Sequence, residues 1–161
     1  MHSCTIMNGR IVDYMKALAA RRHIDIAAEC PDWSGVAVFK RVYALYKERG
    51  YRLKLLAANN NSHFLWTQFL GGDLIMTINP LWWREMEGAS VPVERTIDVP
   101  PPSDAVEALL DKLPEYRAIY NEDGLDVADF NKYGAFKNTM REFFEGYDAF
   151  LSYLRTFMLP D

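Results

Sequence analysis

The chain has 161 residues, half of them hydrophobic and a quarter charged, with a formal net charge of −4. That length makes one domain or a piece of a larger one, and the composition excludes an intrinsically disordered chain. The acidic balance argues against a nucleic-acid footprint, and the single dense basic cluster, Arg21-Arg22-His23, reads as the solvated end of a helix.

The two cysteines, Cys4 and Cys30, give neither a disulfide framework nor metal-ligand spacing, and the three histidines lie far apart. Cys4 sits in an apolar run and reads as a small core residue. No apolar run approaches the ~18 residues of a membrane span, and the N-terminus lacks a signal-peptide layout. A cytoplasmic location is the expectation.

In chain order, Ser3 to Met7 is a short β-leaning run stopped by Asn8-Gly9. Arg10 to Ala20 places Ile11, Met15 and Leu18 at helical spacing. Pro31-Asp32 marks a break, after which Ser34 is expected to cap a helix with the apolar face Val36, Phe39, Val42, Tyr43 and Tyr46. Gly50 fits the stop of that helix, where a left-handed residue is favoured.

Tyr51 to Ala58 reads as a buried strand, nearly unbroken in apolar residues after Arg52 and Lys54, as in a parallel sheet. Asn59-Asn60-Asn61-Ser62 makes a turn in which Ser62 caps a short helix containing Phe64, Leu65 and Phe69. Gly71-Gly72 ends it, Leu74 to Ile78 is a further strand, and Pro80 opens a helix through about Glu87 with Leu81, Trp82 and Met86. Strand alternates with helix three times, which is βα repetition with a parallel sheet, in a barrel or an open sheet.

Val91 to Pro102 reads as an extended, proline-rich strap. Ser103 is expected to cap a helix with Val106, Leu109 and Leu110. Leu113-Pro114 opens another turn, and Asn121 to Gly124 is a loop. A long helix from about Phe136 to Phe157 closes the chain, with the stripe Met140, Phe143, Phe144, Tyr147, Phe150, Leu151, Leu154 and Phe157. Such a stripe is expected to be core packing.

Five segments in order resemble the transaldolase family. Asn8 to Met15 (NGRIVDYM) is similar to its Gly-Arg-Ile-x-Asp-Trp segment, and Tyr43 to Tyr51 (YALYKERGY) to the helix end before the next strand. Leu55 to Ser62 (LLAANNNS) resembles the following strand and polar turn, and Gly71 to Pro80 (GGDLIMTINP) the Gly-x-Asp and Leu-Thr-Ile-x-Pro strand. Leu113 to Gly134, with Thr139 to Phe144, resembles the C-terminal tail of some branches. The resemblance implies the last three βα units of a TIM (β/α)8 barrel. Residues 1–90 would hold its strands six to eight, and residues 91–161 a strap and helices packing on it.

The family transfers a dihydroxyacetone unit between sugar phosphates, as in the pentose phosphate pathway, without cofactor or metal. It does so through a Schiff base on a fourth-strand lysine that falls outside these residues, so no catalytic residue is assigned here. The resemblance implies substrate-binding roles for Arg10, at the position of a phosphate-binding arginine, and Thr5, at that of a serine near the substrate. Asn59 stands in place of a family serine and Asn61 in place of a second phosphate-binding arginine. An asparagine donates hydrogen bonds without charge, so phosphate affinity should fall.

Lys54 is the one strand lysine, and its place near the strand start argues against imine chemistry there. The alternatives are a non-catalytic binding or structural descendant, a truncated fragment inactive alone, or an unrelated open α/β domain. Three parallel strands leave two open edges, so the expected cover is a second copy, a complementary barrel half or the chain's own C-terminal helix folded over the gap, and a sugar phosphate is the expected ligand.

Overall fold

A computed structural model describes residues 2–158. The chain divides into two compact units, Met1–Gly124 and Leu125–Asp161.

The first unit is α/β. Its elements run β1 (Ser3–Ile6), α1 (Asn8–Arg21), α2 (Cys30–Glu48), β2 (Lys54–Asn60), α3 (His63–Thr67), β3 (Leu74–Ile78), α4 (Pro80–Gly88), α5 (Ser103–Lys112) and α6 (Pro114–Tyr120). The three strands form one parallel sheet in the order β1-β2-β3, so spatial order follows chain order. Connections of this kind in a parallel sheet need a helical crossover, which α1–α2 and α3 supply.

Side chains alternate across the sheet. Leu55 and Ala57 of β2 are buried, and together with Cys4, Ile6, Leu74 and Met76 they face Val12 of α1, Val36, Phe39 and Tyr43 of α2, and Leu65 and Phe69 at α3. Phe39 and Phe69 meet with ring centroids 4.6 Å apart. The other set differs: Thr5, Lys54, Ile75 and Thr77 are exposed and Leu56 is only half-buried. One sheet face is therefore covered, while β1 and β3 form its two edges. Helix α4, which follows β3, has no buried residue; Leu81 and Trp83 point their apolar surface into solvent.

Three helix boundaries show why local chemistry decides ends. Helix α2 begins at Cys30, ahead of the expected Ser34 cap, because Pro31 fits the first helical turn, where its missing N–H costs nothing. Ser34 is inside the helix and its hydroxyl donates to Pro31 O at 2.6 Å. The helix ends as expected at Gly50 (φ 63°), with Tyr51 N donating to Tyr46 O at 3.1 Å. Helix α5 likewise includes Ser103, with Pro102 in the capping place and no side-chain cap.

The strap of residues 91–102 has no regular structure and is pinned at several points. Ile97 is buried in the core, and the backbone N–H groups of Thr96 and Ile97 both donate to Leu70 O. Lys40 of α2, itself buried, donates through Nζ to Thr96 O at 2.9 Å and Val99 O at 2.6 Å. Helices α5 and α6 then cover α2, burying Leu109, Leu113 and Tyr116 completely.

The second unit holds a 3-10 helix (Val127–Lys132) and the 23-residue α7 (Gly134–Thr156). Of α7 only Ala135 and Thr139 are buried. The stripe expected as core is largely solvent-exposed: Phe143, Phe144, Tyr147, Phe150, Leu154 and Phe157 range from 40% exposed at Leu154 to 70% at Phe157. Periodicity specifies an apolar face but not what covers it. Among the described residues, no helix is long and apolar enough to cross a membrane.

Candidate functional site

The C-terminal ends of parallel strands are where open α/β sheets and βα barrels place their ligands, because successive loops converge there. Here the ends of all three strands border one hollow of about 360 Å³. It is lined by Met7 after β1, Arg10 in the first turn of α1, Ala58 to Asn61 at the end of β2, and Thr77 to Asn79 with Trp82 after β3. That size suits a small ligand.

The geometry of the hollow depends on a register break in β2. Asn59 adopts φ 62°, a left-handed conformation that asparagine tolerates better than most residues. The pairing of β2 with β3 shifts between Ala57 and Asn60, so Asn60 takes the inward position that strict alternation would give to Asn59. Asn60 is fully buried. Its Nδ2 lies 2.9 Å from Ala57 O and 3.1 Å from Thr77 O, and its Oδ1 accepts from Asn8 Nδ2 at 3.0 Å. One side chain thus ties the start of α1, the end of β2 and the end of β3 together.

Two glycines permit this convergence. A Cβ on Gly9 would fall well inside contact distance of the Asn59 carbonyl oxygen, and one on Gly35 would collide with the Asn8 carbonyl oxygen. The α1 start is therefore seated directly on the β2 turn and on α2.

Of the residues implied to bind substrate, Arg10, Asn59 and Asn61 all line the hollow. Thr5 does not. It pairs in register with Leu56 in the middle of the sheet and is exposed. Lys54 is at the opposite end of β2, ion-paired with Asp73 at 2.6 Å. Asn60 and Asn79 are the residues that sequence reasoning passed over. Asn79 caps α4 by accepting from Leu81 N at 2.9 Å, and it stands at the rim of the hollow. The signal for Asn60 was present as the middle of a triple-asparagine turn.

Chemically, the lining mixes apolar side chains (Met7, Ile78, Trp82) with asparagines and is nearly uncharged. Among the described residues that line the hollow, Arg10 is the one cation, and none is a carboxylate, lysine, cysteine or histidine. It can bind and orient an oxygen-rich anion through a guanidinium and side-chain amides. It offers no group to move a proton near neutral pH. His63 stands behind Trp82, edge-on to both Trp82 (5.6 Å) and Trp66 (5.9 Å). Among the described residues, no cluster of His, Cys, Asp or Glu is placed to hold a metal ion. Both cysteines are free thiols, and burial raises the pKa of Cys30.

A larger hollow of about 640 Å³ runs along α2, the strap and Tyr120, with Lys40 on its wall. Desolvation lowers the Lys40 pKa to about 8, with partial opposition from Asp98. Its two short bonds to backbone carbonyls identify it as the fastening of the strap. The strand-end hollow, although smaller, is the one that lies at the C-terminal ends of the parallel strands.

No family model, curated protein or solved structure matches the chain.

Proposed function

We propose that this chain is the phosphate-side portion of a transaldolase-like barrel, binding a sugar phosphate at the strand-end hollow. The observation that carries the reading is the convergence of Arg10, Asn59 and Asn61 on one hollow at the C-terminal ends of three parallel strands in chain order. Arg10 would engage the phosphate, and the amides of Asn59 and Asn61 the sugar hydroxyls or remaining phosphate oxygens.

Chain-order strands with helices on one face are what a segment of a (β/α)8 barrel requires. The uncovered face with Thr5, Leu56 and Ile75 would then be barrel interior, and α4, with no buried residue, would gain its cover from the other units of such a barrel. The Schiff-base lysine and the proton-handling carboxylates would come from a complementary half.

A second reading, a non-catalytic binding protein of the same descent, draws on the absence of any proton-transfer group among the described residues that line the hollow. Two measurements test these readings. Titration with fructose 6-phosphate, followed by amide chemical shifts, should perturb residues 58–61 and 77–79, and Arg10→Ala should move the midpoint to about tenfold higher ligand concentration. A wild-type chain that shows no such shifts sinks the binding claim in both readings. Borohydride trapping with a ketose phosphate, read by intact mass, should leave this chain unmodified; an adduct on it would overturn the assignment of the lysine elsewhere.

A further inference from the structure

Helix α7 carries large apolar side chains at alternating intervals of three and four: Met140, Phe143, Tyr147, Phe150, Leu154, Phe157. That spacing is the heptad seam of a left-handed coiled coil, and Phe144 and Leu151 widen it on one side. About eight such side chains, each leaving on the order of 100 Å² exposed, present roughly 800 Å² per copy, the area of a standard stable interface. Isolated apolar residues on a surface need no explanation, but a continuous face of this size does.

The charges beside the seam specify the occupant. Arg141 and Asp148 lie seven residues apart on the flank next to Phe144 and Leu151, two helical turns from one another. The opposite flank carries Thr139, Gly146 and Tyr153. In an antiparallel pair of identical helices each flank meets its own counterpart, whereas in a parallel pair it meets the other flank. Antiparallel overlap over the whole of α7 centres near Glu145, the midpoint of Gly134–Thr156. That register sets Arg141 against Asp148 of the second copy, and by two-fold symmetry the same pair forms twice.

The seam is prepared for this register. An open groove of about 540 Å³, lined by Phe136, Met140, Phe144, Arg141 and Asp148 among others, runs along the N-terminal half of α7. The same overlap brings Phe150 and Leu154 of the second copy over Met140 and Phe136, so the groove receives the exposed C-terminal knobs of its counterpart.

We infer that α7 is a homodimerisation element, pairing antiparallel with α7 of a second copy through this seam and the reciprocal Arg141–Asp148 pairs. The inference is independent of any sugar-phosphate binding at the strand ends.

The test uses the full chain in sedimentation equilibrium at low salt. Wild type should be a dimer at high micromolar concentration, and Phe143→Glu with Phe150→Glu should give a monomer of unchanged helical content. Arg141→Asp and Asp148→Arg, made singly, should each weaken the dimer about tenfold or more, and the double exchange should restore it. A wild type that stays monomeric, including one that instead binds phosphatidylcholine–phosphatidylglycerol vesicles, overturns the inference. So does a dimer indifferent to these variants, which would place the contact on another surface such as the sheet edges. If single charge reversals weaken the dimer but the double exchange fails to recover it, the antiparallel register is wrong.

Discussion

The amide of Asn8, the first residue of α1, donates to the amide oxygen of Asn60 at 3.0 Å, joining positions 52 residues apart in the chain. Both side chains are almost wholly buried. Asn60 also serves two backbone carbonyls, so its removal strands acceptors on two strands and a donor on a helix.

Asn60→Ala should therefore destabilise the chain by about 2–3 kcal/mol, read by urea unfolding. Asn60→Asp should be worse at neutral pH, because a carboxylate would face the carbonyls of Ala57 and Thr77. Burial would raise that carboxyl's pKa in the folded state, so the extra loss should shrink as the pH is lowered and the group is protonated. Equal stability of the two variants at neutral pH would count against the assigned amide orientation.

Gly9→Ala sets two effects in opposition. Alanine gains up to about 1 kcal/mol of helix propensity, but its Cβ meets the Asn59 carbonyl. Overpacking against backbone costs about 1–3 kcal/mol, so net destabilisation is expected, together with displacement of the β2 turn. Amide shifts at residues 59–61 would report the displacement. A stabilised Gly9→Ala protein would show that the turn yields freely.

Lys40 gives the molecule an alkaline signature. Its pKa falls from 10.5 in the unfolded chain to about 8 in the folded one, so between those values the unfolded chain binds more protons. Lys40's contribution to stability should accordingly rise from pH 8 toward pH 10. Above pH 10 the buried Tyr116 acts in the other direction, since burial raises its pKa and only the unfolded chain loses that proton. Lys40→Met should remove the rise and speed hydrogen exchange across residues 96–99, whose carbonyl anchors lose their donor. Denaturant unfolding at pH 8 and pH 10, wild type against variant, checks both.

Asn61→Arg adds the second cation whose absence marks the hollow. It should tighten phosphate-ester binding about tenfold relative to wild type, with Arg10→Ala weakening it by a similar factor. Calorimetric titration with a ketose phosphate reads both. An Asn61→Arg protein with wild-type affinity would mean that position 61 does not face the bound anion.

Much of the fold was legible because punctuation residues act locally. Gly50, Ser62 and Pro80 end or open their helices where backbone geometry demands it. The strand expected over residues 51–58 is found at Lys54–Asn60, and that over Leu74–Ile78 where expected. Asn60 escaped because two-residue alternation fails where Asn59 turns left-handed, a conformation that a sequence pattern does not display. Lys40 escaped because a lysine between Phe39 and Arg41 reads as surface until the strap is seen lying over it. For α7 the apolar stripe was evident, but spacing is blind to whether the cover is intramolecular.

If a partner strand pairs at the β1 or β3 edge of the sheet, the fold becomes subject to mass action. A strand added at either edge would bind the folded chain alone. Such a partner raises stability by RT ln(1 + [L]/Kd), which is about 2.7 kcal/mol at a hundredfold excess over Kd. The melting temperature of the dilute chain is then a floor, set by its own contacts and raised by the concentration of whatever completes the sheet.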